Sequence, residues 1–230
     1  MTRHPDWIVP DWPAPSCVRA LITTRAGGVS TGPYASLNLG TSVGDDPKAV
    51  EENRARLRSV LPGDPAWLKQ VHGATVIDAG AHHVLPHADA SIASQPGTVC
   101  AIQVADCIPV LFADTRGRAV AAAHAGWRGR AGGVLQNTVA AMQARGVSAH
   151  EILAYVGPGI GATAFEVGAD VYEAFTTLDP GASAAFAARP AGKWLADLHL
   201  LVRRALARAG VERIHGEPLC TVSDAKRFFS

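Results

Sequence analysis

Runs of apolar residues separated by glycine, proline and polar turns divide the chain into short elements, most of them of strand length. The predicted strands are five to seven residues long and cover residues 18–24, 66–70, 74–79, 99–105, 108–113, 118–124 and 152–156. The sequence Asp114-Thr115-Arg116-Gly117 is typical of a hairpin turn, so the strands on either side of it should be antiparallel neighbours.

Apolar residues three or four positions apart predict helices over residues 47–61, 132–145, 169–176 and 194–209. The first should begin at Asp46-Pro47, because aspartate caps a helix and proline suits its first position. The last has the clearest apolar face and should end at Gly210.

The order of these elements predicts one domain over residues 1–230. Its first 16 residues contain four prolines and two tryptophans, which favours an irregular N-terminal arm. Strands come partly in consecutive runs and partly alternate with helices. This order predicts an α/β or α+β fold with a mixed sheet.

Composition and charge narrow the classes of function. The 230 residues are 48% hydrophobic and 18% charged, which favours a folded core over disorder. The 21 Lys+Arg and 20 Asp+Glu residues leave a net charge of +1. This balance gives no excess of positive charge of the kind that binds nucleic acid or an anionic membrane. No apolar run approaches the ~20 residues that span a bilayer, and the first residues do not resemble a signal peptide. We therefore expect a cytoplasmic protein with no nucleic-acid or membrane partner; its oligomeric state stays open.

Three side chains suited to metal binding lie beside glycines, each where a predicted strand meets a turn: His72, Cys107 and His124. Side chains at strand ends can converge at one edge of a sheet. Two imidazoles and a thiolate suit Zn²⁺ and leave a fourth position for water. Their separations of 35 and 17 residues match no known metal motif, so a small buried cysteine and surface histidines remain the alternative.

The remaining histidines, cysteines and glycines give weaker signals. No C-x-x-C pair occurs among the four cysteines, and we expect four thiols. His82, His83 and His87 are expected to face solvent. The segment Gly157-Pro158-Gly159-Ile160-Gly161 departs from the dinucleotide-binding spacing, so it should form either a plain turn or a loop that offers amides to an anion.

Several strings, taken together and in this order, closely resemble the YfiH/laccase-domain family, also called multicopper polyphenol oxidase-like. They are Thr23-Thr24-Arg25-Ala26-Gly27-Gly28-Val29-Ser30, Ser36-Leu37-Asn38-Leu39-Gly40, Gln70-Val71-His72-Gly73, Ala105-Asp106-Cys107-Ile108-Pro109-Val110 and His124-Ala125-Gly126-Trp127-Arg128-Gly129. Gly157-Pro158-Gly159-Ile160 and Cys220-Thr221 continue the match over nearly the whole chain.

This resemblance implies an α/β fold related to certain cysteine-dependent toxin hydrolases. It also implies a Zn²⁺ held by His72, Cys107 and His124, and activity on purine nucleosides: phosphorolysis of adenosine, inosine and methylthioadenosine, with adenosine deamination. The family pattern continues past Ser230 into a basic segment, S-Y-R-R-D-G-x-T-G-R, which this sequence lacks. If those arginines help to bind phosphate, activity should be impaired.

Each implied reaction asks for different side chains. In deamination, Zn²⁺ would lower the pKa of bound water from 15.7 to ~7, and Asp106 is the candidate proton shuttle, although it could equally cap a turn. In phosphorolysis, phosphate attacks C1′ of the ribose. Arg25 and Arg128 are candidate phosphate ligands, because guanidinium forks match phosphate and adjacent glycines permit close approach.

Three further residues are candidates for substrate binding. Trp127 could stack on a purine or instead pack against the sheet. Asn38 and Gln70 carry amides that could contact the sugar or the base.

Three other functions compete with this interpretation. A copper phenol oxidase is less favoured, because the nine histidines include no H-x-H pair and Met142, a candidate axial ligand, lies within a predicted helix. A metal-free thiol hydrolase would use Cys107 as nucleophile and His124 or His72 as base. A non-catalytic binding module with structural zinc would need a fourth protein ligand, and none is evident in the sequence.

Overall fold

A six-stranded mixed sheet forms the centre of the molecule in the computed structural model, which describes residues 3–81 and 85–230. The strands, in chain order, are β1 (Pro65–Ala66), β2 (Val76–Asp78), β3 (Ala90–Ala93), β4 (Val99–Cys100), β5 (Ile108–Asp114), β6 (Val120–Ala125), β7 (Ile152–Val156), β8 (Glu166–Val167), β9 (Phe186–Arg189), β10 (Lys193–Ala196) and β11 (Arg213–His215). The central sheet has the order β11-β7-β5-β6-β3-β2. Its outer pairs, β2–β3 and β7–β11, are parallel and its inner pairs are antiparallel.

Two helices cover one face of this sheet. The helices are α1 (Pro47–Arg58), α2 (Trp127–Ala131), α3 (Val134–Gln143), α4 (Ala169–Thr176) and α5 (Leu198–Arg208). Helix α3 packs over β3 and β6, α5 packs over β5 and β7, and the two helices contact each other. Phe112, Leu135, Met142, Phe175 and Leu201 are almost fully buried in the resulting core. This burial supplies the main driving force for folding.

Smaller units surround the core. The strands β8, β10 and β9 form an antiparallel sheet, and β1 pairs in parallel with β4. A second apolar cluster holds α1 against the N-terminal arm through Trp7, Leu37 and Leu57. Within the described residues, no helix combines the length and hydropathy needed to cross a membrane.

Several predicted elements are confirmed. Helix α1 begins at Pro47, capped by the Asp46 carboxylate, which accepts a hydrogen bond from the Lys48 amide. The strand at residues 152–156 and the helix at 169–176 have the predicted bounds, and Asp114–Gly117 forms the predicted turn between β5 and β6. All four cysteines are free thiols.

Other elements differ from the prediction. Residues 18–24 form no strand, because Ile22 makes only a single bridge, to Ile8 of the arm. The predicted strands 74–79 and 99–105 shrink to three and two residues, and the strand predicted over 66–70 is replaced by one at Pro65–Ala66 that shares only Ala66 with it. His87 is exposed, as expected, whereas His82 and His83 lie outside the described residues.

The helix predicted over residues 194–209 begins only at Leu198. Trp194 and Leu195 belong to strand β10, and the Asp197 side chain caps α5 by accepting a hydrogen bond from the Leu200 amide at 2.9 Å. The helix predicted over 132–145 begins at Val134, because Gly133 adopts a left-handed φ of 92° that breaks the chain between α2 and α3.

Candidate metal centre

Pairing of β5 with β6 brings Cys107 and His124 to the same end of the sheet. Pro109 pairs with His124, and Ile108 pairs with Ala125, so Cys107 lies beside the residues that follow His124. His72 reaches the same place from the turn between β1 and β2, where it has a left-handed φ of 58°. The three ligand atoms lie within 4.8 Å of one another. The structure therefore brings together the three predicted metal ligands.

Gly126 leaves space between these side chains. A Cβ atom at this position would lie 2.9 Å from Cys107 Sγ, 3.1 Å from His72 Cδ2 and 3.4 Å from His124 Nε2. We call the space bounded by these three ligands and Gly126 the cradle. Ligand atoms at ~2.0–2.3 Å from one Zn²⁺ ion are about 3.5 Å apart in a tetrahedral site, so side-chain shifts of about 1 Å would close the cradle on an ion. The donor set and the cradle fit Zn²⁺.

The cradle lies at the boundary between core and solvent. His124 is buried, Cys107 is half-buried and His72 is exposed. Within the described residues the cluster contains three ligands, so an ion held by them would keep a coordination position for water or substrate. This arrangement is typical of catalytic rather than structural zinc sites.

The surroundings shift the pKa values of two ligands. Burial lowers the pKa of the His124 imidazole, which favours the neutral form that binds metal. Burial, and then the negative charges of Asp106 and Asp89, raise the pKa of the Cys107 thiol to about 11. Without a cation, Cys107 is therefore a protonated thiol and a poor nucleophile at neutral pH. A bound metal ion would reverse this and stabilise the thiolate.

Asp89, a residue that no sequence motif indicates, lies directly behind the cradle. Its side chain is fully buried, and Oδ1 lies 2.8 Å from His124 Nδ1. The amides of Val71, His72 and Gly73 donate hydrogen bonds to its two oxygens, at 3.2, 2.9 and 2.7 Å. In the sequence, the only sign of this role is an acidic residue near the start of the largely apolar segment 88–93, which contains β3.

Asp106 lies at the margin of the cradle. Its charge contributes to the raised pKa of the neighbouring thiol. Its carboxylate accepts hydrogen bonds from Thr221 Oγ1 at 2.6 Å and from Ser230 Oγ at 3.2 Å. Asp106 therefore also anchors the C-terminal segment beside the candidate metal centre.

Trp127 and Arg128 open the short helix α2 directly after Gly126. Trp127 is half-buried against the main core, in agreement with the packing alternative for this residue. The Arg128 guanidinium is exposed and lies 4.4 Å from the centre of the Trp127 ring.

Arg25 connects the loop after residue 24 to the C-terminal segment. Its guanidinium donates to the carbonyls of Ala35 at 2.7 Å and Ala225 at 2.8 Å, and it lies 4.7 Å from the centre of the Phe229 ring. Its backbone amide also donates to the Arg227 carbonyl. These contacts give Arg25 a structural role in this conformation. Because its guanidinium nitrogens already donate to backbone carbonyls, the group is poorly placed to bind phosphate.

The two amide side chains proposed for substrate binding are used within the protein. Asn38 donates to Asp45 Oδ2 at 2.9 Å, inside its own loop. Gln70 donates to the Gln103 carbonyl and accepts from the Gln103 amide, both at 2.7 Å. In this conformation both side chains stabilise the loops in which they lie.

The glycine-rich segment 157–161 has no regular structure apart from a parallel bridge between Gly159 and Cys220, so the expectation of a plain turn is wrong. Its amides donate to protein acceptors: Gly157 to Pro109, Gly159 to Leu219, Ile160 to Asp106, and Gly161 to Cys220 Sγ at 3.2 Å. Because these donors are occupied, the alternative of an anion-binding loop is wrong.

The fold and the site together define the class of this protein. It is a single-domain protein with a mixed α/β fold and a candidate His-Cys-His metal centre at one end of its sheet, open to solvent on the His72 side. The chain belongs to the family described as multi-copper polyphenol oxidoreductase laccase, whose model matches residues 19–230. It is 52% identical to a purine nucleoside phosphorylase of Pseudomonas aeruginosa over 226 residues, which cover 97% of this chain and 91% of the relative. It is 51% identical, with the same coverage, to the purine nucleoside phosphorylase YfiH of Escherichia coli.

Solved structures agree with this assignment. A Neisseria meningitidis protein superposes with a TM-score of 0.93 at 53% identity and covers 98% of this chain and 92% of its own. Bacillus licheniformis YfiH superposes with a TM-score of 0.84 at 28% identity, covering 90% of this chain and 84% of its own. These matches cover at least 90% of this chain and support the mixed α/β fold.

Proposed function

We propose that this protein is a zinc-dependent purine nucleoside phosphorylase that also deaminates adenosine. Its substrates would be phosphate and adenosine, inosine or methylthioadenosine, and phosphorolysis would release the free base and the corresponding ribose 1-phosphate. The observation that carries the proposal is the convergence of His72, Cys107 and His124 on the space left by Gly126. Relatives more than 50% identical that are named purine nucleoside phosphorylases supply the substrate class.

Within this proposal, the three ligands would hold Zn²⁺, which when bound supplies a Lewis acid at the solvent side of the cradle. Arg128 would bind phosphate, because its exposed guanidinium lies one residue beyond Trp127 on the helix that begins at the cradle. Asp106 would accept or return a proton, since its carboxylate lies close enough to Cys107 to affect that thiol. Arg25 would act by holding the surrounding loop.

The chemistry of Cys107 favours this proposal over a metal-free thiol hydrolase. A thiol with a pKa of about 11 carries almost no thiolate at neutral pH, whereas thiol hydrolases depend on a lowered pKa. Copper oxidation is the other alternative, and the family description refers to it. The cluster's two imidazoles and thiolate would resemble a blue-copper site only with an axial methionine. Met142 is instead fully buried within α3.

The test is metal content measured together with product analysis. Purified protein should contain about one zinc per chain and should form adenine from adenosine only when phosphate is present, with inosine formed in either condition. Cys107→Ala should lose the metal and both products. Cys17→Ala is the matched control, because Cys17 is an exposed thiol outside the cluster, and it should retain both.

Other outcomes would overturn the proposal. Zinc-free protein with full hydrolytic activity and a readily alkylated Cys107 would favour the thiol hydrolase. Stoichiometric copper with phenol oxidation and no nucleoside turnover would favour the oxidase.

A further inference from the structure

One buried carboxylate connects the two segments that carry the histidine ligands. Asp89 immediately precedes β3, next to β6 in the sheet, and its backbone carbonyl accepts a hydrogen bond from the His124 amide at 2.7 Å. Its side chain then contacts the same residue at Nδ1, 2.8 Å away. The other contacts of this carboxylate are the three consecutive amides of residues 71–73. Asp89 therefore bonds the ring of His124 and the backbone turn that carries His72.

The contact with His124 determines which nitrogen faces the cradle. A carboxylate accepts hydrogen bonds but donates none, so His124 Nδ1 must carry the proton. The lone pair of the neutral ring is then on Nε2. The position of Gly126 agrees, because its Cβ would lie 3.4 Å from Nε2. Asp89 thus holds His124 in the tautomer and orientation that a metal ion requires.

The contact with residues 71–73 holds the other histidine. His72 has a left-handed φ of 58°, a conformation that is unfavourable for a residue with a side chain. Three amides that point to one carboxylate compensate for this cost, because each charged hydrogen bond is stronger than a neutral one. Without the carboxylate, the turn would lose the acceptor that fixes its shape, and the His72 ring would lose its position.

We propose that Asp89 is a positioning residue that prepares both histidines for one metal ion before the ion binds. This inference rests on the metal-binding part of the proposed function and is independent of which nucleoside reacts. It predicts that removal of the charge at Asp89 weakens metal binding although Asp89 itself does not touch the metal. Loss of an outer partner of this kind lowers metal affinity by about 10- to 100-fold.

The test compares Asp89→Asn with the full-length parent protein. Zinc affinity is measured by competition with a chromophoric chelator, and Asp89→Asn should bind zinc about 10- to 100-fold more weakly than the parent. Asp114→Asn is the matched control, because Asp114 is an equally buried carboxylate at the far end of β5 that pairs with Arg118. It should bind zinc as the parent does. An Asp89→Asn variant that binds zinc with parental affinity would overturn the proposal and leave the metal site intact.

A second measurement needs no variant. In metal-free parent protein, the ¹⁵N chemical shifts of the His124 ring should report a neutral imidazole protonated at Nδ1. Protonation at Nε2 would overturn the proposal even if Asp89→Asn fails to fold. Should the parent protein bind no zinc, the proposed function loses its metal, and the His124 tautomer still decides whether Asp89 orients this ring.

Discussion

Substitution of Gly126 by alanine tests the cradle with one methyl group. The backbone of Gly126, with φ of −63° and ψ of 157°, is accessible to alanine, so the new side chain causes no backbone strain. Its Cβ would lie 2.9 Å from Cys107 Sγ and 3.1 Å from His72 Cδ2. The methyl group would therefore occupy the space in which the three ligands would bind an ion.

The two expected effects differ in size and can be separated. Overpacking costs about 1–3 kcal/mol, and replacement of glycine in an allowed conformation returns about 0.4–1 kcal/mol, so the metal-free variant should be about 0–2.5 kcal/mol less stable. Zinc at 100 times its Kd should stabilise the parent protein by about 2.7 kcal/mol. At roughly 2–4 °C per kcal/mol for a chain of this size, that corresponds to a rise of ~5–11 °C in Tm.

Thermal unfolding with zinc and with a chelator measures both effects. The parent protein should show the zinc-dependent rise in Tm, and Gly126→Ala should show none. Gly132→Ala is a suitable control, because Gly132 lies at the end of the same short helix and its Cβ would come no closer than 3.3 Å to any atom. An equal zinc-dependent rise in Gly126→Ala would refute the assignment of the cradle as the metal site.

Three further predictions concern charged residues. Arg128→Ala should raise the KM for phosphate several-fold without changing Tm, which initial rates at varied phosphate concentration measure. Arg25→Ala should instead lower the free energy of unfolding by about 1–3 kcal/mol, which urea denaturation measures. If Arg25→Ala raised the KM for phosphate and Arg128→Ala lowered the stability, Arg25 would be the phosphate ligand and Arg128 the structural residue. Hydrogen bonds from Arg118 lower the pKa of Asp114 in the folded state, so its stabilising effect is present above its ordinary pKa of ~3.9 and is lost as the pH falls through the folded value. The stability difference between the parent protein and Asp114→Asn should therefore be larger at pH 7 than at pH 3 in urea unfolding, and a difference independent of pH would contradict this.

The centre of the fold could be predicted because its strands are buried on both faces. Strands β5, β6 and β7 appear in the sequence as continuous apolar runs between turn residues, and burial of this kind leaves little ambiguity. The edges could not be predicted in the same way. Strands β8 and β9 are short and mostly exposed, so they have no apolar pattern of their own. Trp194 and Leu195 continued the helical spacing of α5 by coincidence, and only the capping residue Asp197 marked the true boundary.

The three metal ligands could be proposed from the sequence because two imidazoles and a thiolate suit zinc and because the strings that contain them resemble those of a known family. Their support could not be proposed in this way, because it depends on which strands become neighbours. Asp89 reaches His124 only after β3 has paired with β6, and these two residues are 35 positions apart in the sequence. Such a contact has no local pattern. Arg25 illustrates the same limit, because its hydrogen-bond partners lie up to 203 residues away.

The register of β5 against β6 therefore determines whether Cys107 and His124 lie close enough together to form the candidate metal site. Pro109 lies opposite His124, and a slip of one residue would turn every side chain of β6 to the opposite face of the sheet. Four of the six residues of β6 are alanines, which specify register weakly through packing. On its other side, β6 is held against the start of β3 by two bonds from His124 to Asp89, one from the backbone amide and one from the ring. The same carboxylate that orients the metal ligands thus also helps to fix the strand that carries one of them.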